Sequence, residues 1–458
     1  MHFLLIAYDF PPVPSPQALR WAYLVRELAL AGHRVEVIAP DVPGYGAGGL
    51  PKLPRDVVVH RVDPGRLSRM LQGRRRIRKA EIRTDSEEVI APLSLFSAEA
   101  KLNWKGRLRQ RFERALGCGG GLNWKGILAE KVKVRISDRM FPDYRAEWVP
   151  HAVSKLDELV ANDRPDVIVV SHEPACTLPV GLAAAKRGLP LAVDLGDPVL
   201  APYTPEKWRK QAFDLEREVC QVATMVSVTT EAAVKTLQQR HGIADHKLKV
   251  VRQGFDPRFV VLPAEDLLSF DSDKLELLYT GSFYSFRRAE DLFHAVCSTA
   301  GVRLTVATLN APDYLVEAAT SSPDKIRLMG FMPHRAALAA QRACDVLVNL
   351  ANADPVQVPG KIFEYLGAAK PILHLRGAQS DATGQMLSGI QGGWDIASER
   401  VAIEQVLSEL LQLKATGELG RCIARRDQVQ AYAWPELAGE WVEGLQNLMR
   451  EKASGRTA

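Results

Sequence analysis

Short unbroken apolar runs alternate along this chain with longer stretches in which apolar residues recur at helical spacing. The first pattern is that of a strand buried on both faces, the second that of an amphipathic helix. Phe3 to Ala7 is the first run. Gln17 to Ala31 follows with Leu19, Tyr23, Leu24 and Leu28 on one helical face, Gly32 stops it, and Val35 to Ala39 is the next run. A strand, helix and strand of this length imply a right-handed crossover within a parallel sheet. The alternation returns with strands predicted at Asp166–Ser171, Leu191–Leu195, Met225–Val228 and Lys249–Arg252, and helices at Leu178–Arg187, Glu206–Ala223 and Glu231–His241. A second block opens with strand Leu275–Thr280 and helix Ala289–Ala300. It continues through strands Arg303–Ala307, Ile326–Met329, Val346–Leu350 and Pro371–Leu375. The prediction is an α/β chain of two doubly wound parallel-sheet domains, residues 1–255 and 256–435, joined near Phe255 to Ser272. Residues 436–458, amphipathic from Glu436 to Lys452, are expected to pack back toward the first domain.

One stretch, from about Gly65 to Trp148, breaks the alternation and reads as an insertion. It carries Arg74, Arg75, Arg76, Arg78 and Lys79, then a second basic run from Lys101 to Arg114. Leu-Asn-Trp-Lys-Gly occurs twice, at Leu102 to Gly106 and Leu122 to Gly126, with Gly119 to Gly121 between the copies. Two short copies do not make a solenoid. Basic residues interleaved with Leu102, Trp104, Leu108, Phe112, Trp124 and Ile127 suit an anionic membrane surface, approached through residues 66–135. A solvated basic face accounts for the same residues equally well. No nucleic-acid motif accompanies the charge, so nucleic acid is not expected as a partner.

Size and composition narrow the picture. With 458 residues, 47% of them hydrophobic and 25% charged, the chain has the makeup of a soluble protein of two or three domains. No apolar run approaches the roughly 20 residues of a membrane span. The opening MHFLLIAYDFPP has no basic flank and is broken by Asp9, which argues against a secretory signal and for a cytoplasmic location. Six cysteines without paired spacing argue against disulfides or structural zinc, and a net charge of +5 is mild.

Candidate chemistry concentrates in Val356 to Leu375. Pro359 and Gly360 form a turn into a short helix, where proline suits the first position and glycine lets a ligand approach the backbone. The helix start and Lys361 offer an anion seat, and a diphosphate fits it. Glu364, about one turn on, offers acceptors to vicinal sugar hydroxyls. A second loop, Gly281-Ser282-Phe283-Tyr284-Ser285-Phe286, leads to Arg287 and Arg288, two cations at a helix start where only an anion makes them favourable. The third is the proline-rich connection Tyr8 to Pro16, after the first strand, where open α/β sheets hold ligands. At other strand ends stand His172, read as a sugar contact or a structural residue, and Asp197, read as a site carboxylate or a turn cap. No His, Cys and carboxylate cluster has metal-ligand spacing, so no metal is expected.

The ordered set of these segments resembles family 4 glycosyltransferases of the GT-B fold, above all bacterial enzymes of surface-polysaccharide assembly. The resemblance runs through Phe10 to Pro16, Leu28 to Ile38, Arg164 to His172, Pro190 to Pro198, Lys249 to Asp256, Tyr279 to Tyr284 and Gly360 to Ile372. It implies two Rossmann-like domains facing across a cleft. It also implies retaining, metal-independent transfer from a nucleoside-diphosphate sugar, without further cofactor, to a saccharide or lipid-linked saccharide. By position Glu364 would hold the ribose, Pro359 and Gly360 would face the diphosphate or sugar, and His172 would contact the donor sugar. Arg287 would stand for the family lysine that pairs with the diphosphate, Ser282 replaces a frequent arginine, and Arg288 would substitute for it. Val356 stands where the family has the first glutamate of a pair, with Asp354 and Gln357 nearby. A nucleotide-sugar epimerase and a non-catalytic GT-B subunit are the rival readings.

Overall fold

The computed structural model of the chain describes residues 1–13, 15–42, 50–71, 140–202, 204–258, 268–283, 289–352, 358–377 and 381–454. The basic runs and both Leu-Asn-Trp-Lys-Gly copies of the insertion lie outside the described residues, as do Asp354, Val356 and Gln357.

Among the described residues thirteen strands, β1 His2–Ile6, β2 Arg34–Pro40, β3 Val58–Val62, β4 Val167–Ser171, β5 Leu191–Gly196, β6 Met225–Val228, β7 Leu248–Val250, β8 Leu275–Thr280, β9 Val302–Ala307, β10 Ile326–Met329, β11 Val346–Leu350, β12 Ile372–Arg376 and β13 Gly393–Ala397, make two sheets. The first runs β3-β2-β1-β4-β5-β6-β7 and the second β10-β9-β8-β11-β12-β13. Each ladder is parallel. Strand order reverses between β1 and β4 in one sheet and between β8 and β11 in the other. Crevices at such reversals, past the carboxyl ends of the strands, are where open α/β sheets bind ligands. The loops after β1, β4, β8 and β11 border these crevices.

The central strands are buried along nearly their whole length, as their apolar runs require. Of the four edge strands, β3 and β13 went unpredicted. Their residues are exposed or half-buried apart from Val62, so neither carries a continuous apolar run. The predicted helix from Glu206 starts as a 3-10 turn, Glu206–Trp208, and becomes α-helical only from Arg209.

Four helices matter to the site: α1 Pro16–Leu30, α2 His334–Ala343, α3 Lys361–Gly367 and α4 Trp434–Ala453. Ser15 caps α1, its hydroxyl accepting from the Ala18 amide at 3.0 Å. Helix α4 leaves the second domain and packs on the first, where Trp434, Leu437, Trp441 and Leu445 join Phe3, Trp21 and Leu24 in one core. Trp441 meets Trp21 edge to face at 6.0 Å.

The chain thus crosses between domains twice, and the two crossings are hydrogen-bonded to each other. The Phe255 amide donates to the Tyr432 carbonyl and the Trp434 amide to the Phe255 carbonyl, both at 3.0 Å. This joint has no spare room. A Cβ on Gly254 would sit 2.7 Å from the Tyr432 carbonyl oxygen, and one on Gly367 would sit 2.4 Å from Phe255 Cγ.

Beneath the joint lies a buried charge pair. Arg20, fully buried in α1, donates to Asp194 of β5 through Nε at 2.8 Å and Nη2 at 3.0 Å. Its remaining reach goes to the carbonyls of Arg252 and Val251. Asp194 also accepts from Trp21 Nε1 at 3.0 Å and Ser227 Oγ at 2.8 Å. With so many donors satisfied, the pair ties α1, β5, β6 and the first crossing together.

Candidate functional site

Between the carboxyl edges of the two sheets lies a cavity of about 840 Å³. Gln17, Glu173 and Asp197 line it from the first domain, and Gly281, Lys361 and Glu364 from the second. Gln253 and Trp434 close it at the joint.

On the second-domain side, β8 ends at Thr280 and the chain turns at Gly281, whose φ of +141° no side-chain-bearing residue adopts readily. A Cβ there would stand 3.4 Å from Lys361 Nζ, so the ammonium lies beside bare backbone. Lys361 Nζ also sits 3.7 Å from the centroid of the Tyr279 ring, a cation–π contact that fixes its position. Below it, the Thr280 amide donates to Tyr365 Oη at 3.0 Å, and Gln341 Nε2 donates to Thr280 Oγ1 at 3.2 Å. Gly360 faces Gln253, with a Cβ there 3.3 Å from Gln253 Cγ. Helix α3 has seven residues, fewer than two turns. Its dipole is short, and the positive charge of the seat resides chiefly in Lys361.

Glu364, one turn beyond Lys361 on the same face, lies 3.8 Å from His334 Nδ1. The other ring nitrogen of His334 is 3.2 Å from the Tyr23 hydroxyl of α1. Burial above all, then the neighbouring Glu364 carboxylate, pushes the Tyr23 phenol up, so it stays protonated.

On the first-domain side, Asp197 lines the cavity, whereas its neighbour Asp194 is consumed by Arg20. His172 does not line it. The imidazole is buried, and burial pushes its pKa down to about 4, so it is neutral near pH 7. Its Nδ1 has no hydrogen-bond partner among the described residues. Glu173 lines the cavity instead, at a φ of +66°. The other described non-glycine residues of positive φ, Ala369 and Gln391, follow helix ends where that conformation is ordinary. Ser282 does not line the cavity; its carbonyl accepts from Tyr279 Oη at 3.1 Å. Arg287 and Arg288 lie outside the described residues.

Of the residues singled out from the sequence, the cavity thus gathers Asp197, Gly281, Pro359, Gly360, Lys361 and Glu364. Sequence reasoning missed Gln17, Tyr23, His334 and Gln341. His334 carried a faint signal, being the first residue of a helix after β10, at the ligand-binding edge of the sheet.

The arrangement offers a cation beside open backbone, a carboxylate one turn away and two carboxylates on the opposite wall. Residues 123–254 match the glycosyl transferase 4-like domain. No curated relative matches the chain in sequence. Among solved structures, sucrose-phosphate synthase from Thermosynechococcus elongatus is 13% identical, with 98% of this chain and 99% of that one covered and a TM-score of 0.61. HepE of Anabaena, solved with UDP and glucose, is 13% identical over 98% and 100%, with a TM-score of 0.59. A putative UDP-N-acetylglucosamine 2-epimerase from Listeria monocytogenes is 13% identical over 98% and 97%, with a TM-score of 0.54. The two-sheet architecture carrying the glycosyl transferase 4-like domain is GT-B, as the resemblance implied.

Proposed function

We propose that this protein is a retaining, metal-independent glycosyltransferase that moves a sugar from a nucleoside-diphosphate sugar to a saccharide or lipid-linked saccharide during polysaccharide assembly. The observation that carries the reading is the placing of Lys361 beside the bare backbone of Gly281, with Glu364 one turn away, on one wall of the interdomain cavity. Breaking the bond between anomeric carbon and phosphate oxygen leaves negative charge on the departing diphosphate. A fixed ammonium next to open backbone stabilises that charge as it develops. Glu364 accepts from the ribose hydroxyls, and the acceptor enters past Asp197 and Glu173 on the opposite wall. Seating both substrates between two domains excludes water and limits hydrolysis of the donor. The UDP and glucose bound by HepE, a structure of the same fold, suit this assignment.

An epimerase structure shares the fold, so the fold alone does not choose between transfer and epimerisation. The glycosyl transferase 4-like match favours transfer. The decisive experiment is calorimetry with UDP, GDP and dTDP, followed by incubation with the matching sugar donors with and without saccharide acceptors. Binding of one nucleotide, abolished or weakened by Glu364→Ala, and acceptor-dependent release of that nucleotide are expected. Epimerised donor formed without acceptor, or no binding of any nucleotide, overturns the assignment.

The acceptor's location follows from the basic insertion. Among the described residues no helix is long and apolar enough to cross a membrane. Residues 66–135 supply the basic and aromatic residues for peripheral attachment to the inner leaflet of the cytoplasmic membrane, where lipid-linked saccharides are extended. Flotation with anionic vesicles that fails to carry the protein at low salt refutes this part.

A further inference from the structure

Glu364 does not stand alone in the donor half of the cavity. His334 lies between it and the other domain, with Nδ1 3.8 Å from Glu364 Oε1 and Nε2 3.2 Å from the Tyr23 hydroxyl. Tyr23 belongs to α1 of the first domain, and its position is set by the joint. Its ring stacks on Trp434 at 5.5 Å and 11°. The guanidinium of Arg26 lies 4.7 Å from the ring centroid and holds Asp256, just past the first crossing, at 2.7 Å. The second crossing thus touches Tyr23 directly through Trp434, and the first reaches it through Arg26.

We propose that His334 is a positioning residue that couples the donor-binding carboxylate Glu364 to the arrangement of the two domains, with Tyr23 as its anchor. With the ring proton on Nδ1, the Tyr23 hydroxyl donates to Nε2 and the Nδ1–H faces Glu364. That order of donors leaves the second carboxylate oxygen of Glu364 to the ligand's hydroxyls. A rotation at the joint shifts Tyr23 relative to α2, and with it the support behind Glu364. Affinity for the nucleotide then depends on the angle between the domains, and by reciprocity the bound nucleotide favours the domain arrangement in which Tyr23 meets His334. This inference rests on the donor-site reading of Glu364.

The test is a double-mutant cycle on the full chain, read as the dissociation constant of UDP, GDP or dTDP, whichever binds the wild type. Tyr23→Phe keeps the ring stack on Trp434 and removes only the hydroxyl. Tyr23→Phe and His334→Ala are each expected to weaken nucleotide binding roughly threefold to tenfold, and Tyr23→Phe to have no further effect once His334 is Ala. His334→Gln, whose amide keeps one donor and one acceptor, recovers part of the loss. Strictly additive effects, or a Tyr23→Phe protein that melts normally and binds like wild type, overturn the coupling. If Glu364→Ala still weakens binding in that case, the donor site stands and only the coupling falls. If none of the three nucleotides binds the wild type, both fall together.

Discussion

Replacing Lys361 by Met tests the anion seat while keeping the stem that packs along Tyr279 and Gly281. A phosphate oxygen resting on the Gly281 turn lies within contact range of the ammonium. At about 4 Å and an effective dielectric of about 20, the two charges attract by about 4 kcal/mol. Binding withdraws the ammonium from water and from its contact with the Tyr279 ring, which leaves about 1.5–3 kcal/mol, the usual worth of a hydrogen bond between charged groups. Lys361→Met is therefore expected to weaken nucleoside-diphosphate binding roughly 10- to 150-fold. The informative quantity is the ratio of affinities for a nucleoside diphosphate and its parent nucleoside, measured by calorimetry on both proteins. The variant loses the preference for the diphosphate, because only the diphosphate carries the charge that Lys361 meets. Equal losses for nucleoside and diphosphate, or an unchanged ratio, refute the reasoning and leave Lys361 with the structural task of bridging Tyr279 and Tyr365.

Arg20→Met leaves Asp194 buried beside two remaining donors, and a loss of about 3–5 kcal/mol in chemical unfolding is expected; a loss under about 1 kcal/mol contradicts the role given to the pair. Gly367→Ala drives a methyl into the Phe255 ring at the joint and is expected to cost about 1–3 kcal/mol, read as a lowered urea midpoint at unchanged slope. His172 gives a pH signature. Its native pKa of about 4 lies below the ordinary 6.5, so the unfolded chain binds a proton the native chain refuses across that window. Stability should fall as pH drops from 6.5 toward 4, by roughly 3 kcal/mol over the full shift, and His172→Gln should flatten that part of the profile.

Much of the fold was legible in the sequence because a strand buried on both faces must be apolar throughout. Central strands such as β4, Val-Ile-Val-Val-Ser, announce themselves, whereas β3, Val-Val-His-Arg-Val, has its apolar run broken by His60 and Arg61 at a half-solvated edge and does not. At the site, Gly360, Lys361 and Glu364 were legible because their chemistry is local, one turn and one helix start. Arg20 and Asp194 were not assigned as partners, since a pair 174 residues apart leaves no spacing to read. The one trace was a charged residue inside the apolar stretch of α1. His172 marked the right strand end, but the chain turns at Glu173 and presents that carboxylate to the cavity while the imidazole stays behind it. His334 and Tyr23 meet only because two domains do, and that contact has no signature in either segment alone.

The last long helix of the chain supplies Trp434, Leu437, Trp441 and Leu445 to the core built around the first strand. During synthesis the amino-terminal half emerges long before those side chains exist. Until residues 434–445 have been made, Phe3, Trp21 and Leu24 lack that cover, and the nascent half exposes apolar surface. A nonsense codon between residues 434 and 445 would therefore damage the beginning of the protein rather than its end.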